Sequence, residues 1–199
     1  MQISLTYCSN THRMAAMLTD KSDATRLQGH KVILREKRIS DAESDYAWAT
    51  DKDLMHLDAA EPYRMSFAEF YISYHAGLDS KDEKRVGFAI ETLNGEHIGN
   101  CVCYNIDRFH KEAELGIMIG NRNYWGKGYG SDAMKTLMQY AFQDIGLKKL
   151  SLHTLEWNIR AQECFERSGF VRRGLVTRQG YEFMEMEAVA HPSEPRNST

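Results

Sequence analysis

Cysteine and proline are scarce in this chain, and no long apolar run occurs in it. The 199 residues include four cysteines and three prolines, and the cysteines do not have the spacing of a zinc site. No segment approaches the ~20 consecutive apolar residues that span a bilayer, and neither end reads as a signal peptide. We therefore expect a cytoplasmic protein that holds no metal and does not act on a membrane.

The balance of charge is close to even. The formal net charge of −3 gives no support for nucleic acid as the main partner. The length and the 42% of hydrophobic residues fit one domain with a sizeable core. Residues 1–29 are polar and poorly periodic, so we expect an N-terminal extension there. The domain is expected over 30–189, followed by a flexible tail over 190–199 that holds two of the prolines.

Periodicity along the chain predicts a mixed α/β domain. Asn94-Gly95 lies between two alternating segments and predicts a β-hairpin. Ser66 and Glu69 predict a capping box at the start of a helix. The predicted strands cover 31–35, 86–92, 97–104, 112–119, 149–155, 170–177 and 181–189. The predicted helices cover 41–50, 66–75, 131–144 and a segment that begins after Asn158.

The most informative segment is 112–131, where an apolar strand enters a glycine-spaced loop that opens a helix. Glycines at 126, 128 and 130 allow positive φ angles and a close approach of the backbone to a ligand. The N-terminus of the following helix adds unpaired N–H groups and the positive end of its dipole. The loop therefore predicts a binding site for an anion such as a diphosphate.

Spacing excludes two common phosphate-binding loops. A Walker loop needs Ser or Thr after Gly-Lys, whereas Gly128 follows Lys127 here. A dinucleotide-binding fingerprint needs GxGxxG with an acid about 20 residues later, but this loop reads GxGxG and lies beyond the midpoint of the chain. For the loop taken alone, a glycine-rich turn without a ligand stays open as the alternative.

Two motifs resemble the signatures of the GNAT N-acetyltransferases. The loop from Trp125 to Gly130 resembles the family's coenzyme A pyrophosphate loop, Arg/Gln-x-x-Gly-x-Gly/Ala, with Trp125 in place of the usual Arg or Gln. Its YWGKGYG form is similar to the branch related to ribosomal-protein N-terminal and polyamine acetyltransferases. Segment 158–170 resembles the second signature, N-x-x-A-x-x-x-Y-x-x-x-G-F, with Phe165 at the tyrosine position. Taken alone, this segment also fits an amphipathic helix capped by Asn158.

The resemblance implies an N-acetyltransferase that uses acetyl-CoA and has the GNAT fold. That fold is a mostly antiparallel twisted sheet, splayed between its fourth and fifth strands and flanked by about four helices. The main chain of Met118 and Ile119 is then expected to bind the pantetheine arm. The other residues expected to bind the cofactor are Trp125, Gly126, Lys127, Gly128, Tyr129, Gly130, Ser131, Asn158, Ala161 and Phe165.

The implied reaction is direct transfer of the acetyl group to an amine. A primary amine with a pKa of ~10.4 is mostly protonated at neutral pH, so the substrate needs a route for proton loss. Glu114 is our first candidate for a base acting through water, and His153 on the neighbouring strand is the second. Because the family's acid is commonly the tyrosine that Phe165 replaces, water, Tyr129 or Ser168 is left to protonate the leaving thiolate.

Acidic residues crowd the segment 41–63, which holds seven acids and one base. Because this region helps to form the acceptor cleft in the family, we expect a cationic small-molecule amine or a peptide N-terminus there. A solvated acidic helix face and a homodimer both stay open. The alternative function is a coenzyme A-binding regulatory module without turnover, since the catalytic tyrosine is missing. The residues expected to bind the acceptor are Trp48, Asp51, Asp53, Glu61 and Tyr63.

Overall fold

An eight-stranded sheet organises the computed structural model, which describes residues 25–78, 80 and 82–190. The strands are β1 Arg26–Gln28, β2 Val32–Arg35, β3 Arg85–Thr92, β4 His97–Asp107, β5 Glu112–Ile119, β6 Lys149–Leu155, β7 Val171–Arg178 and β8 Tyr181–Val189. Their order across the sheet is β1-β2-β3-β4-β5-β6-β8-β7. All neighbours are antiparallel except β5 and β6, which are parallel.

Helices cover both faces of this sheet. They are α1 Ala42–Thr50, α2 Lys52–Leu57, α3 Phe67–Leu78, α4 Tyr129–Gln143 and α5 Ile159–Ser168. On one face α4 packs against β2, β4 and β5, with α5 beside it, and Met134, Leu137 and Ala141 of α4 are fully buried. The opposite face carries α1, where the Asn100 amide of β4 donates to Asp45 at 2.5 Å. Within the described ranges, no helix has the length and apolar character needed to cross a membrane.

The predicted fold class is confirmed, with five helices in place of about four. β5, β6 and β8 have their predicted bounds, and the predicted capping box is present, since the Ser66 N–H donates to Glu69 Oε2 at 2.8 Å. Two short elements were missed. β1 lies inside the segment predicted as an extension, and α2 lies inside the acidic segment. The remainder of the predicted extension and tail, 1–24 and 191–199, is outside the described residues.

A buried ion cluster joins the sheet to the start of α1. Arg35 of β2 contacts Asp41 at 2.7 Å and also contacts Glu91 of β3. The side chains of these three residues are between 3% and 8% exposed. Burial alone would raise the pKa of Asp41, but hydrogen bonds from Arg35 and from the Arg38 N–H outweigh burial and lower it. Each charge therefore depends on its partners to remain ionised in the interior.

Replacement of Arg35 by methionine is expected to lower the free energy of unfolding by about 3–5 kcal/mol, because it removes the buried cation that contacts both buried carboxylates. Arg26→Met is the matched control, since Arg26 is 52% exposed and lies 4.0 Å from the same Glu91. This variant is expected to lose less than about 1 kcal/mol of unfolding free energy. Denaturant titration measures both. Because folding lowers the pKa of Asp41, the wild-type advantage is present above pH ~4 and is lost as pH falls through the folded pKa. Equal losses of unfolding free energy in the two variants would contradict a stabilising role for the buried ion cluster.

Candidate active site

β5 and β6 pair only over their first residues. Parallel pairing reaches Glu114 and Ser151, and no pair follows it along these two described strands. Beyond this point the strands diverge. The splay predicted between the fourth and fifth predicted strands, 112–119 and 149–155, is therefore confirmed between β5 and β6. The edge of β5 around Met118 therefore faces a cleft instead of a strand. Unpaired main-chain groups on such an edge can bind an extended ligand as an added strand would.

The glycine loop at the far end of β5 carries six N–H groups that are free to bind a ligand. Within the described chain, no main-chain N–H of residues 126–131 donates to a backbone carbonyl. Gly126 and Gly128 have φ angles of +70° and +85°, and successive N–H groups in such a conformation form an anion-binding nest. α4 begins at Tyr129, so the unpaired N–H groups of its first turn join the loop. The loop fits the diphosphate of coenzyme A.

Gly130 serves helix packing, and the positive φ that the sequence allowed there does not occur. It lies in the first turn of α4, where an added Cβ would come 3.3 Å from the Cys164 Sγ of α5. The Ser131 Oγ lies 3.3 Å from the same sulfur. Small side chains at these two positions let α4 approach α5, which forms the other wall of the cleft.

Asp132 fastens the start of β2 to the start of α4. Its Oδ2 accepts hydrogen bonds from the N–H groups of Lys31 at 2.7 Å and Val32 at 3.1 Å. The Lys31 Nζ in turn donates to the Lys127 carbonyl at 2.9 Å. An added Cβ at Gly29 would lie 2.5 Å from Asp132 Oδ2, so this contact requires a glycine. The arrangement holds a cation beside the loop, where an anion would bind.

The second motif forms α5 as predicted. The Asn158 Oδ1 accepts from the Ala161 N–H at 3.2 Å and caps the helix. Gly169 ends it with a φ of +109°, a conformation that suits glycine at a helix C-terminus. Ala161 and Phe165 line the cleft, so α5 offers a small residue and an aromatic ring to a ligand.

Trp125 connects the loop to both walls of the cleft. Its Nε1 donates to the Ile119 carbonyl at 2.6 Å, so this carbonyl, predicted to bind pantetheine, already has a partner. The Arg160 guanidinium of α5 lies 3.5 Å from the indole centroid, and that of Arg122 lies 5.6 Å away. Burial lowers the pKa of Arg160. Where the family's loop usually has its own Arg or Gln, this chain places an indole in cation–π contact with two arginines.

The cleft has a volume of about 480 Å³, within the range of small-molecule sites. It extends from the glycine loop along residues 117–119 of β5, with α5 on one side. Leu54, Leu57 and Asp58 of the α2 region close it on another side. Three separate parts of the chain thus enclose a single elongated site.

The two predicted proton acceptors, Glu114 and His153, are in contact where the strands separate. The His153 Nδ1 lies 2.9 Å from Glu114 Oε1. The same oxygen accepts from the Tyr104 hydroxyl at 2.6 Å, and the Arg178 Nη1 is 3.6 Å away. The His153 Nε2 is buried without a hydrogen bond among the described residues and lies 3.5 Å from Glu185 Oε1. We call Tyr104, Glu114 and His153 the vertex cluster.

Electrostatics hold two members of the vertex cluster, Glu114 and Tyr104, each in one protonation state. Burial would raise the pKa of Glu114, but the hydrogen bonds from Tyr104 and His153 outweigh it, so this pKa is lowered. Burial, followed by the hydrogen bond to Glu114, raises the pKa of Tyr104. Near neutral pH the pair is therefore a carboxylate and a neutral phenol. A carboxylate with a lowered pKa is a weak proton acceptor and a firm anchor for its neighbours.

The five residues predicted to bind the acceptor do not form one site. Both oxygens of Asp51 accept from Arg122 at 2.8 Å, and this contact lowers the pKa of Asp51 to about 2. Asp53 is 90% exposed and lies 3.4 Å from the same arginine. Trp48 packs on Gly120, where an added Cβ would overlap its ring at 2.1 Å. The negative charge predicted for the acceptor is therefore largely neutralised at these positions.

Glu61 and Tyr63 lie in a second cavity of about 540 Å³. It lies on the side of α2 opposite to the residues that line the cleft. Two permanent cations face one carboxylate there, so the predicted excess of acid does not hold in this cavity. The residues that define it are Lys52, His56, Glu61, Tyr63, Arg64 and Tyr181.

Neither hydroxyl considered as a replacement acid lies at the vertex. Tyr129 begins α4 at the glycine loop and packs edge-on against Tyr124, with ring centroids 4.8 Å apart. The Ser168 Oγ donates to the Cys164 carbonyl at 2.8 Å. Their positions do not favour either residue as the acid, and the source of the proton for the thiolate stays a prediction.

Three residues of the site were missed by sequence reasoning. Tyr104 lies directly opposite Glu114 in the β4–β5 pair, a register that the alternation of the hairpin could have indicated. Arg160 stands inside the second motif, at an unspecified position between Asn158 and Ala161. Asp58 follows α2, and no pattern distinguished it from the other acids of that segment.

Comparisons with known proteins agree with this geometry. The family model described as an acetyltransferase (GNAT) domain matches residues 31–171. Spermidine N(1)-acetyltransferase of Escherichia coli K12 is 30% identical over 145 residues, which are 73% of this chain and 75% of that protein. Aminoglycoside N(6')-acetyltransferase type 1 of Klebsiella pneumoniae is 26% identical over 156 residues, 73% of this chain and 77% of that protein.

A solved structure shows the same fold. Spermidine N-acetyltransferase from Vibrio cholerae, crystallised in complex with CoA and spermine, superposes with a TM-score of 0.69 and 24% identity, covering 79% of this chain and 95% of that chain. The splayed strands, the free N–H groups of the glycine loop and the family match lead to one conclusion. This chain belongs to the GNAT family of acetyltransferases and is an N-acetyltransferase with acetyl-CoA as its acetyl donor.

Proposed function

We propose that this protein acetylates a primary amine by direct attack of the amine on the thioester of acetyl-CoA. The observation that carries the proposal is a single cleft that begins at the free N–H groups of residues 126–131 and runs back along β5 toward the point where β6 separates from it, after the pair Glu114 and Ser151. The diphosphate and the thioester of one coenzyme A molecule suit these two ends. An attacking amine then reaches the thioester where β5 and β6 separate.

The chain's own groups have separable tasks in binding the donor. The loop N–H groups bind the diphosphate, with Lys31 adding positive charge behind them. The main chain near Met118 pairs with the pantetheine arm. Ala161 leaves room for that arm, and Phe165 supplies an apolar surface beside it. Acetyl-CoA supplies the activated acetyl group once it is bound.

Glu114 acts as a positioning residue in this proposal. Its ionised carboxylate holds the Tyr104 hydroxyl and the His153 ring at the vertex. The sequence also predicts Glu114 as a base that receives a proton through water, with His153 as the second candidate. That role stays a prediction, which the lowered pKa of Glu114 does not favour.

The leaving group needs no tyrosine at the position of Phe165. A thiol has an ordinary pKa of ~8.5, so a thiolate leaves far more readily than an alkoxide. The proton that the nitrogen loses when the amide forms can end on the sulfur. The absence of the family's usual acid is therefore compatible with turnover.

The acceptor class is supported by the relatives. Two of them are named for spermidine and for an aminoglycoside. We propose a small-molecule amine or a peptide N-terminus as the acceptor of this chain. The acids expected to hold it, Asp51, Asp53 and Glu61, remain a prediction that their cationic neighbours weaken.

Release of free coenzyme A thiol from acetyl-CoA tests the proposed function. The panel contains spermidine, an aminoglycoside, short peptides with free N-termini and an alcohol that carries no amine. Turnover with at least one amine, and none with the alcohol, is expected. Tight acetyl-CoA binding without thiol release for any amine would instead favour the coenzyme A-binding regulatory module.

A further inference from the structure

Asp58 is the carboxylate of the α1–α2 region that reaches the cleft. It directly follows α2 and lines the cleft together with Leu54 and Leu57 on the same side of that helix. The β5 residue Met118 lines the cleft as well. An amine that enters between α2 and β5 therefore meets this side chain.

The carboxylate of Asp58 is available to a ligand. Among the described residues it takes part in no hydrogen bond or ion pair, and only its N–H is engaged, with the Met55 carbonyl at 3.0 Å. The other aspartates of this region differ. Asp41, Asp45 and Asp51 each contact an arginine or a lysine at 2.7–2.8 Å.

The surroundings of Asp58 favour proton uptake. Burial raises the pKa of its carboxyl group, although the residue as a whole is exposed to solvent. A side chain inside a concave cleft fits both the raised pKa and the exposure, because water can enter the cleft while protein atoms surround the carboxyl group on most sides. The charge of Asp58 also helps to raise the pKa of Tyr104, so Asp58 lies within electrostatic range of the vertex cluster.

The other charged groups that line the cleft do not neutralise the Asp58 carboxylate. On α5, the Glu163 carboxylate lies 3.5 Å from Arg167, so these two charges offset each other. Arg160 lies against an indole ring. β5 contributes only apolar side chains along 117–119. Apart from Glu163, Asp58 is the acid among the described residues that line this site.

We propose that Asp58 receives the proton of the acceptor ammonium group as the amine reaches the thioester. The inference rests on the proposed function and assigns its proton acceptor. The ammonium group transfers one proton to the Asp58 carboxylate, and the neutral nitrogen forms a bond to the thioester carbonyl carbon while the carbon–sulfur bond breaks. The second proton of the nitrogen ends on the thiolate. The first passes from Asp58 to water, so the products are the amide, coenzyme A thiol and one solvated proton.

Asp58→Asn tests this assignment, with Asp144→Asn as the matched control, because Asp144 is an exposed aspartate at the end of α4 away from the glycine loop and its replacement should leave kcat/KM near wild type. For the best amine of the panel, Asp58→Asn is expected to lower kcat/KM by ~10² near neutral pH, a usual size for loss of a general base. The acidic limb of the pH–rate profile should disappear. The Kd for acetyl-CoA should stay near its wild-type value, and Asp58→Glu should recover most of the rate.

An amine that is already neutral at the assay pH gives the sharpest readout, because it needs no base. Asp58→Asn should turn it over at close to the wild-type rate. A wild-type pH profile for Asp58→Asn, or an equal defect with neutral and protonated amines, would overturn the assignment of Asp58 as the proton acceptor. The proposed function would still stand in that case, because the wild-type protein turns over the amine. If the wild-type protein turns over no amine at all, the proposed function fails, and this assignment fails with it.

Discussion

Gly128→Val is expected to abolish acetyl-CoA binding while the protein stays folded. Gly128 has a φ of +85°, where a β-branched residue is strongly disfavoured. An added Cβ would lie 3.6 Å from the Lys31 Nζ, so a branched valine side chain would also press on the cation that lies beside the loop. Calorimetric titration should show a Kd raised by roughly 10² or more, since a misplaced nest loses several charge-assisted hydrogen bonds at once.

Gly180→Val separates this effect from backbone strain. Gly180 has a nearly equal φ of +84° and open space around its Cβ position, but it lies in the β7–β8 turn, away from the cleft. Both variants should lose about 1–2 kcal/mol of folding free energy, whereas only Gly128→Val should lose the cofactor. A folded Gly128→Val protein with wild-type affinity would remove the glycine loop from the binding site.

Glu114→Gln should lower kcat by roughly 10², a size that small misplacements of reacting groups produce. The amide loses the charge that faces His153 and Arg178, although it keeps nearly the same shape. Because the pKa of Glu114 is lowered from its ordinary value, the carboxylate stays ionised throughout the neutral range. The shape of the pH–rate profile should therefore be preserved, and the KM for acetyl-CoA should change little.

Glu112→Gln is the control for this variant. Glu112 lies two residues earlier on β5, and its surface contact with Lys149 at 2.8 Å is far from the cleft end of that strand. Steady-state kinetics should place its kcat close to wild type. A Glu114→Gln defect that shrinks as pH rises would make Glu114 the base and would transfer that role away from Asp58. A wild-type kcat would remove Glu114 from the mechanism.

The fold was predictable where local signals mark both ends of an element. β5 and β6 have their predicted bounds because turn residues flank clear alternation. β1 has three residues and α2 has six, which are too few to show a hydrophobic period, so the sequence pattern predicted neither element. The two sequence motifs predicted the loop and α5 for a related reason, since each motif is contained within one short segment.

Long-range pairing explains what sequence could not provide in the site. Asp51 and Arg122 are 71 positions apart, so nothing in the acidic segment indicated that its charge would be neutralised. The contact between Glu114 and His153 depends on a parallel register of β5 and β6 that a helix-containing crossover leaves unspecified. Asp58 was one acid among seven until the structure placed it in the cleft and left the others outside.

The three indole rings give this enzyme separate optical reporters. Trp125 lies in the cleft against Arg160, so its fluorescence should respond to the donor. Trp157 stacks on His56, at 4.9 Å, beside the second cavity, and Trp48 lies against Gly120 beyond the end of β5. Replacement of any two of the three tryptophans by phenylalanine leaves one fluorescent indole. Quenching of its fluorescence then reports on the region around that indole alone. The order in which donor and acceptor bind then becomes measurable by stopped-flow mixing, without a labelled substrate.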